Sequence, residues 1–274
     1  MAPKSESIAD QIQWDALRHQ ASRFTYCLID ETKLGIGTAI AVKLEQRFFF
    51  VSAKHLIDNN HDLQILPRNS LVPVKSPDFK AKHCHELLDV GFIELNANVS
   101  NQFDFVDGTQ LLEEIDIETE LPTLVIGYPS QFIRSSKIQI TSKEDLLTHR
   151  CDALVYRSIV LPKSEWPNNS SLCNSLECGT DILVDFKSEP RIKCLSPNTF
   201  SIDGQQVDCA KINPEGMSGG GIWLASVKEH NSGVRQSDAR LIGIQTGYYN
   251  NIGLLKGLRI GVWLKMVKTA YPDL

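Results

Sequence analysis

The sequence predicts an all-β chain in two halves with a helix at each end, and three observations carry that expectation. Short β-type runs follow one another after the first two dozen residues, and turn residues separate them at the intervals of a sandwich or barrel. No strand–helix alternation of the kind a parallel sheet needs is present. Glycine and proline punctuation around "ETELPTLVIGYPS" marks the junction between the two halves.

Element by element, the chain opens on a helical stripe from about Ser5 to Gln20. Ile8, Ile12 and Ala16 stand four apart with Ala9 beside them, Ser5 is placed to cap the start, and Trp14 falls off the stripe. The strand-like runs are then "GIGTAIAVKL", "RFFFVSA", "DLQILP", "LDVGFIEL", "LPTLVIGYP", "DALVYRSIVL", "TDILVDF", "SGGGIWLASV", "LIGIQTGYY" and "LRIGVWL". The long stretch 141–210 holds five of the seven cysteines and the polar loop "KSEWPNNSSLCNSLECG", and reads as an insertion. The terminal "WLKMVKTAYPDL" reads as a final helix packed on the β halves.

Bulk properties exclude several classes of function. At 274 residues, 42% hydrophobic and 22% charged, the chain is long enough to bury a full core. A formal net charge of −5 without a run of like charges leaves no footprint for phosphate backbones, so nucleic acid is not an expected partner. The N-terminus lacks the apolar core of a signal peptide and no apolar stretch reaches spanning length, so a soluble, non-exported, cytoplasmic protein without a membrane partner is expected. The seven cysteines, at 27, 84, 151, 173, 178, 194 and 209, are odd in number and irregular in spacing, which suits a reduced compartment. Asn98, Asn168 and Asn169 open Asn-x-Ser sequons that lose their meaning without export. His83, Cys84 and His85 alternate sides on an extended segment and lack a second ligand pair at zinc-like spacing. No metal site and no cofactor are expected.

The chemistry concentrates in "INPEGMSGGGIWL", residues Ile212 to Leu224. Its Gly-x-Ser-x-Gly pattern fits a tight hairpin turn, an α/β-hydrolase nucleophile or a chymotrypsin-type nucleophile, and chain order separates these. The α/β-hydrolase order needs an acid and then a histidine after Ser218, but the only histidine there is His230, and Asp238 follows it. The order His, Asp, Ser is satisfied upstream. His55 in "FFFVSAKHLID" follows a strongly β-type run that would deliver it to a sheet end. Asp89 in "LLDVGFIEL" stands at the start of an apolar strand, where a half-buried carboxylate needs a donor such as an imidazole N–H. Asp78, Asp104 and Asp107 open no apolar strand and read as loop residues.

On these motifs the sequence resembles the trypsin-like (chymotrypsin-fold) serine peptidases, closest to the bacterial branch that includes the high-temperature-requirement proteases, without a PDZ domain. "VSAKH" matches the family's histidine motif, "LDVGFIEL" its aspartate motif, "INPEGMSGG" its serine motif and "LIGIQTG" the strand lining its substrate groove, while "LVIGYP" resembles the segment opening its second barrel. The resemblance implies two six-stranded antiparallel β-barrels. Residues 1–24 would form an N-terminal helical segment, 25–119 a first barrel carrying His55 and Asp89, and 120–274 a second barrel carrying Ser218 with the C-terminal helix. Two departures matter. Secreted members carry a cysteine after the histidine, where this chain has Leu56, and digestive members carry before the serine an aspartate that pairs with a freshly cut N-terminal amine, where this chain has Met217.

The implied activity is hydrolysis of protein or peptide substrates by Ser218, His55 and Asp89, with the backbone N–H groups of Gly216 and Ser218 as the oxyanion hole. Ile212, six residues before the serine, would lie at the base of the primary pocket, Gln245, Thr246 and Gly247 would form its wall, and Glu215 its rim. An Ile at the base points away from Arg or Lys and toward small or medium apolar residues. Without a zymogen switch the enzyme would be competent as made or controlled by a regulatory protein partner. The competing class is a catalytically silent trypsin-like module that binds an extended peptide or partner protein, since a fold does not fix a function.

Overall fold

The computed structural model describes residues 12–29, 35–58, 62–67, 72–129, 153–168, 176–188, 191–196, 199–202, 205–208, 213–214, 216–229 and 235–274. In chain order the helices are α1 (Trp14–Ser22), α2 (Lys54–Asp58), α3 (Ala97–Ser100) and α4 (Ile260–Ala270). The strands of the first half are β1 (Thr25–Ile29), β2 (Gly35–Leu44), β3 (Arg47–Ser52), β4 (Gln64–Ile65), β5 (Val74–Lys75), β6 (Phe79–Cys84), β7 (Gly91–Leu95) and β8 (Val106–Asp107). Those that follow are β9 (Leu121–Gly127), β10 (Leu154–Val160), β11 (Asp181–Asp185), β12 (Lys193–Cys194), β13 (Thr199–Ile202), β14 (Gln205–Asp208), β15 (Gly221–Glu229), β16 (Arg235–Tyr249) and β17 (Leu254–Arg259).

The first sheet runs β5-β4-β1-β2-β3-β7-β6, with β8 added in parallel to β2. The second runs β11-β17-β16-β15-β9-β10, and the β10–β11 pairing closes it into a six-stranded ring, with β12 attached to β10. Closure removes the edges that a finite sheet would expose. The strands β13 and β14 form a separate hairpin.

Hydrophobic alternation explains which faces are joined. On β3, Phe49 and Val51 belong to the core shared with the second sheet, while Phe50 between them points into the first sheet's own cluster. The shared core also takes Ile40 and Val42 from β2, Leu124 and Ile126 from β9, and Trp223 from β15. Helix α4 seals it: Ile260, Trp263, Leu264 and Val267 are buried at the three- and four-residue spacing of one helix face. The Trp263 ring lies edge-on to Phe49 and Phe92 of the first sheet.

Three sequence expectations need correction. The run "LRIGVWL" is not one strand: β17 ends at Arg259 and α4 begins at Ile260, because its apolar residues continue into Leu264 and Val267 at helical spacing. The first helix begins at Trp14, and its buried residues are Leu17 and Ala21, with Ile12 just ahead of it; Ala16 is exposed, and Ile8 and Ala9 lie outside the described residues. Trp14 packs against the shared core with the Arg157 guanidinium 4.7 Å from its ring. The cysteines are not all thiols. Cys27, Cys84 and Cys178 are free, but Cys194 is in a disulfide whose other half lies outside the described residues, as do Cys151, Cys173 and Cys209. Spacing along the chain does not reveal which cysteines come within bonding distance in space. Among the described residues, no helix is long and apolar enough to cross a membrane.

Candidate active site

The pairing of β3 with β7 brings His55 and Asp89 together. Ser52 at the end of β3 lies opposite Gly91 at the start of β7. The chain leaving Ser52 turns into α2, which carries His55, and the chain entering Gly91 comes from the bend that holds Asp89. Asp89 therefore precedes its strand by two residues instead of opening it, which leaves both carboxylate oxygens clear of the ladder. One oxygen meets His55 Nδ1 at 2.7 Å and the other accepts from the His55 backbone N–H at 3.0 Å. A carboxylate only accepts, so Nδ1 carries the proton and Nε2 of the neutral ring is left as an acceptor. Burial pushes the Asp89 carboxyl up, but the hydrogen bonds from the His55 ring and backbone outweigh this and hold it below the ordinary aspartate value.

A cavity of about 310 Å³ adjoins this pair, lined in addition by Lys54, Asp58, Glu86, Leu87 and Leu88. Lys54 and Asp58 form an ion pair at 2.8 Å. The three residues that resemble a metal cluster in the sequence each have a different partner. His83 stacks on Phe92, His85 Nδ1 accepts from the backbone N–H groups of Leu87 and Leu88, and the Cys84 thiol bonds to Asp58. Burial and the Asp58 carboxylate push that thiol up to about 12, which makes it a poor nucleophile.

Ser218 arrives from the second sheet. It stands in the turn just before β15, partly exposed, between two glycines in the left-handed region: Gly216 at φ 87° and Gly219 at φ 85°. A side chain at Gly219 would also run into the Thr38 carbonyl and the Ser52 hydroxyl. The turn is stitched on both sides. Thr38 N–H donates to the Ser218 carbonyl at 3.0 Å, Gly219 N–H to the Gln245 carbonyl at 2.7 Å, Gln245 N–H to the Gly220 carbonyl at 2.8 Å, and Gly220 N–H to the Met217 carbonyl at 2.8 Å. Among the described residues, the N–H groups of Gly216 and Ser218 donate to nothing. Unengaged donors beside a serine are what an oxyanion would need.

Thr38 is the residue that sequence reasoning missed. It is fully buried, its hydroxyl accepts from Tyr128 N–H at 2.8 Å, and its carbonyl accepts from Ser52 Oγ at 2.6 Å, so β2, β3, the end of β9 and the serine turn meet on it. Its signal was an uncharged polar residue inside the otherwise apolar stretch "GIGTAIAV". Through Thr38 and Ser52 the serine turn rests against the strand end three residues before His55. The structure thus joins His55 and Asp89 directly and brings Ser218 to the same strand ends, without a hydrogen bond between Ser218 and His55.

Of the substrate-side residues, Ile212 and Glu215 lie outside the described residues. Gln245 is buried, and its side-chain Nε2 donates to the Gly247 carbonyl at 3.1 Å. Thr246 sits at a bulge: Gln245 pairs with Gly257 and Gly247 with Lys256, leaving Thr246 without a partner on β17. Since β15 begins opposite Ile244, β16 from Thr246 to Tyr248 has no strand neighbour on that side among the described residues.

No protein-family model matches the sequence, and no curated protein matches it either. Solved structures do. A serine endoprotease from Yersinia pestis superposes with a TM-score of 0.53 at 12% identity, covering 95% of this chain and 67% of that one. The serine protease domain of the Sesbania mosaic virus polyprotein aligns with a TM-score of 0.42 at 11% identity, over 87% of this chain and 88% of that one. With its two β-sheets, the closed second ring and the terminal helices, the chain has the chymotrypsin-like double-barrel fold.

Proposed function

We propose that the protein is a serine endopeptidase of the trypsin-like class, related to the bacterial branch named above, in which residues 25–119 supply His55 and Asp89 and residues 120–274 supply Ser218. The observation that carries the proposal is the two-point grip of Asp89 on His55, which leaves Nε2 free to act as a base. Ser218 Oγ attacks the peptide carbonyl carbon while its proton passes to His55 Nε2, and the oxygen that becomes negative is received by the N–H groups of Gly216 and Ser218. The C–N bond then breaks as His55 returns the proton to the leaving amine. Water, deprotonated by the same nitrogen, attacks the acyl-serine ester, and His55 passes that proton to Ser218 Oγ as the ester C–O bond breaks and the acid leaves. Each oxyanion donor is worth on the order of 3 kcal/mol of barrier.

From Thr246 onward β16 has no strand neighbour on one side among the described residues, which supports binding of an extended peptide as an added strand. Met217 is fully buried in the apolar cluster of the second barrel, with Val125, Ile182 and Ile222. A side chain so placed holds no N-terminal amine, which supports activation by a route other than the zymogen cut, with a partner protein as the means of control. The test is degradation of an unfolded protein substrate. Ser218→Ala should reduce it to background and Asp89→Asn should lower kcat by about 10⁴-fold; unchanged degradation by either variant refutes the assignment.

A further inference from the structure

We infer that Gln245 makes the enzyme cleave after residues whose uncharged side chains donate a hydrogen bond, a refinement that rests on the peptidase reading above. The side-chain amide is fixed at one end only. Its Nε2 is engaged with the Gly247 carbonyl, which settles the orientation of the amide, because a carbonyl cannot donate. The Oε1 atom at the other end is buried and has no hydrogen-bond partner, although the residue is only 1% exposed. Native structures rarely leave such an atom unpaired, and one that is unpaired calls for an explanation.

Its position supplies one. The backbone of Gln245 is bonded through both its N–H and its carbonyl to Gly220 and Gly219, the two residues after Ser218. Pairing with β17 is regular from Gly243 to Gln245, so these two residues share a face of β16. A Cβ at Gly243 would meet Ile182 Cδ1 at 2.7 Å, and one at Gly257, opposite Gln245, would meet Ile222 Cδ1. Ile182, Ile222 and Met217 belong to the apolar interior of the second barrel. The Gln245 side chain therefore enters that barrel at the end carrying Ser218, and its oxygen is a buried acceptor with no partner there.

A substrate side chain inserted there meets apolar contacts and one acceptor. Ser, Thr, Asn and Gln present a donor without a charge. Lys and Arg also donate, but a cation buried among the apolar groups of that barrel would have to give up its hydration. The apolar preference expected from Ile212 alone is thereby narrowed. A pocket that offers an acceptor discriminates against an isostere without the donor.

The experiment compares peptide pairs matched in shape, with Thr or Val before the scissile bond, by kcat/KM in one preparation. Wild type should favour Thr by about tenfold or more, and Gln245→Met should bring the ratio to about one or below. Because both peptides meet the same enzyme, a general loss of activity in the variant leaves the ratio readable. Wild type cleaving Val as well as Thr or better overturns the inference and leaves the peptidase reading standing, as does a ratio that survives in Gln245→Met. If wild type cleaves neither these peptides nor any unfolded protein and Ser218 takes no fluorophosphonate, the peptidase reading itself fails and the inference falls with it.

Discussion

At the scale of single residues, the candidate site depends on a few backbone positions as much as on its reactive side chains. His55 and Asp89 were legible in the sequence because each stands beside a strong β-type run. What the sequence could not show was that Asp89 lies outside the strand and grips His55 at two atoms, since that depends on the register of β3 against β7. Thr38 was illegible for a related reason: its partners, Ser52, Tyr128 and Ser218, are spread over three distant segments. Gly219 shows what this packing demands. With φ 85° and the Thr38 carbonyl against it, Gly219→Ala should push the serine turn off Thr38. We expect a stability loss of about 1–3 kcal/mol by urea unfolding, and loss of proteolysis. A variant with wild-type stability and activity would show that the turn has no need of glycine.

At the scale of elements, the loop that holds Asp89 is supported from the far ends of its strands. Glu94 on β7 is almost fully buried and receives Arg47 of β3 at 3.0 Å, Lys80 of β6 at 2.9 Å and the Tyr271 hydroxyl at 2.7 Å. Arg47 also reaches Asp273 at 2.9 Å and lies over the Tyr271 ring, so the segment after α4 is fastened to the first sheet. None of this was legible, because "FKAKHC" alternates charged and half-buried residues and stands outside the apolar strand-like runs, so that only its pairing with β7 shows where Lys80 reaches. Burial raises the Glu94 carboxyl, but Tyr271, Lys80 and Arg47 outweigh it and hold the group below the ordinary glutamate value. A depressed carboxyl adds stability above its unfolded pKa and loses it as pH falls through the folded one. Stability should therefore decline from about pH 5 downward, and Glu94→Gln should lower it by about 2 kcal/mol at neutral pH while flattening that decline. An unaltered acid limb in the urea midpoint of Glu94→Gln would contradict this.

At the scale of the whole molecule, the all-β class and the terminal helices were readable because periodicity and turn residues are local signals. The closure of the second ring through β10–β11, the parallel addition of β8 and the disulfide at Cys194 were not, because each joins segments whose meeting is decided by the rest of the fold. The two sheets share one core, sealed by Trp263, and the serine turn crosses from one to the other at Thr38. That crossing is where the proposed chemistry resides, and it is tested most directly by treating the intact protein with a fluorophosphonate and locating the adduct by mass spectrometry. The account predicts a single adduct on Ser218, lost in His55→Ala. An adduct on another serine, or no adduct on a folded protein, would contradict it.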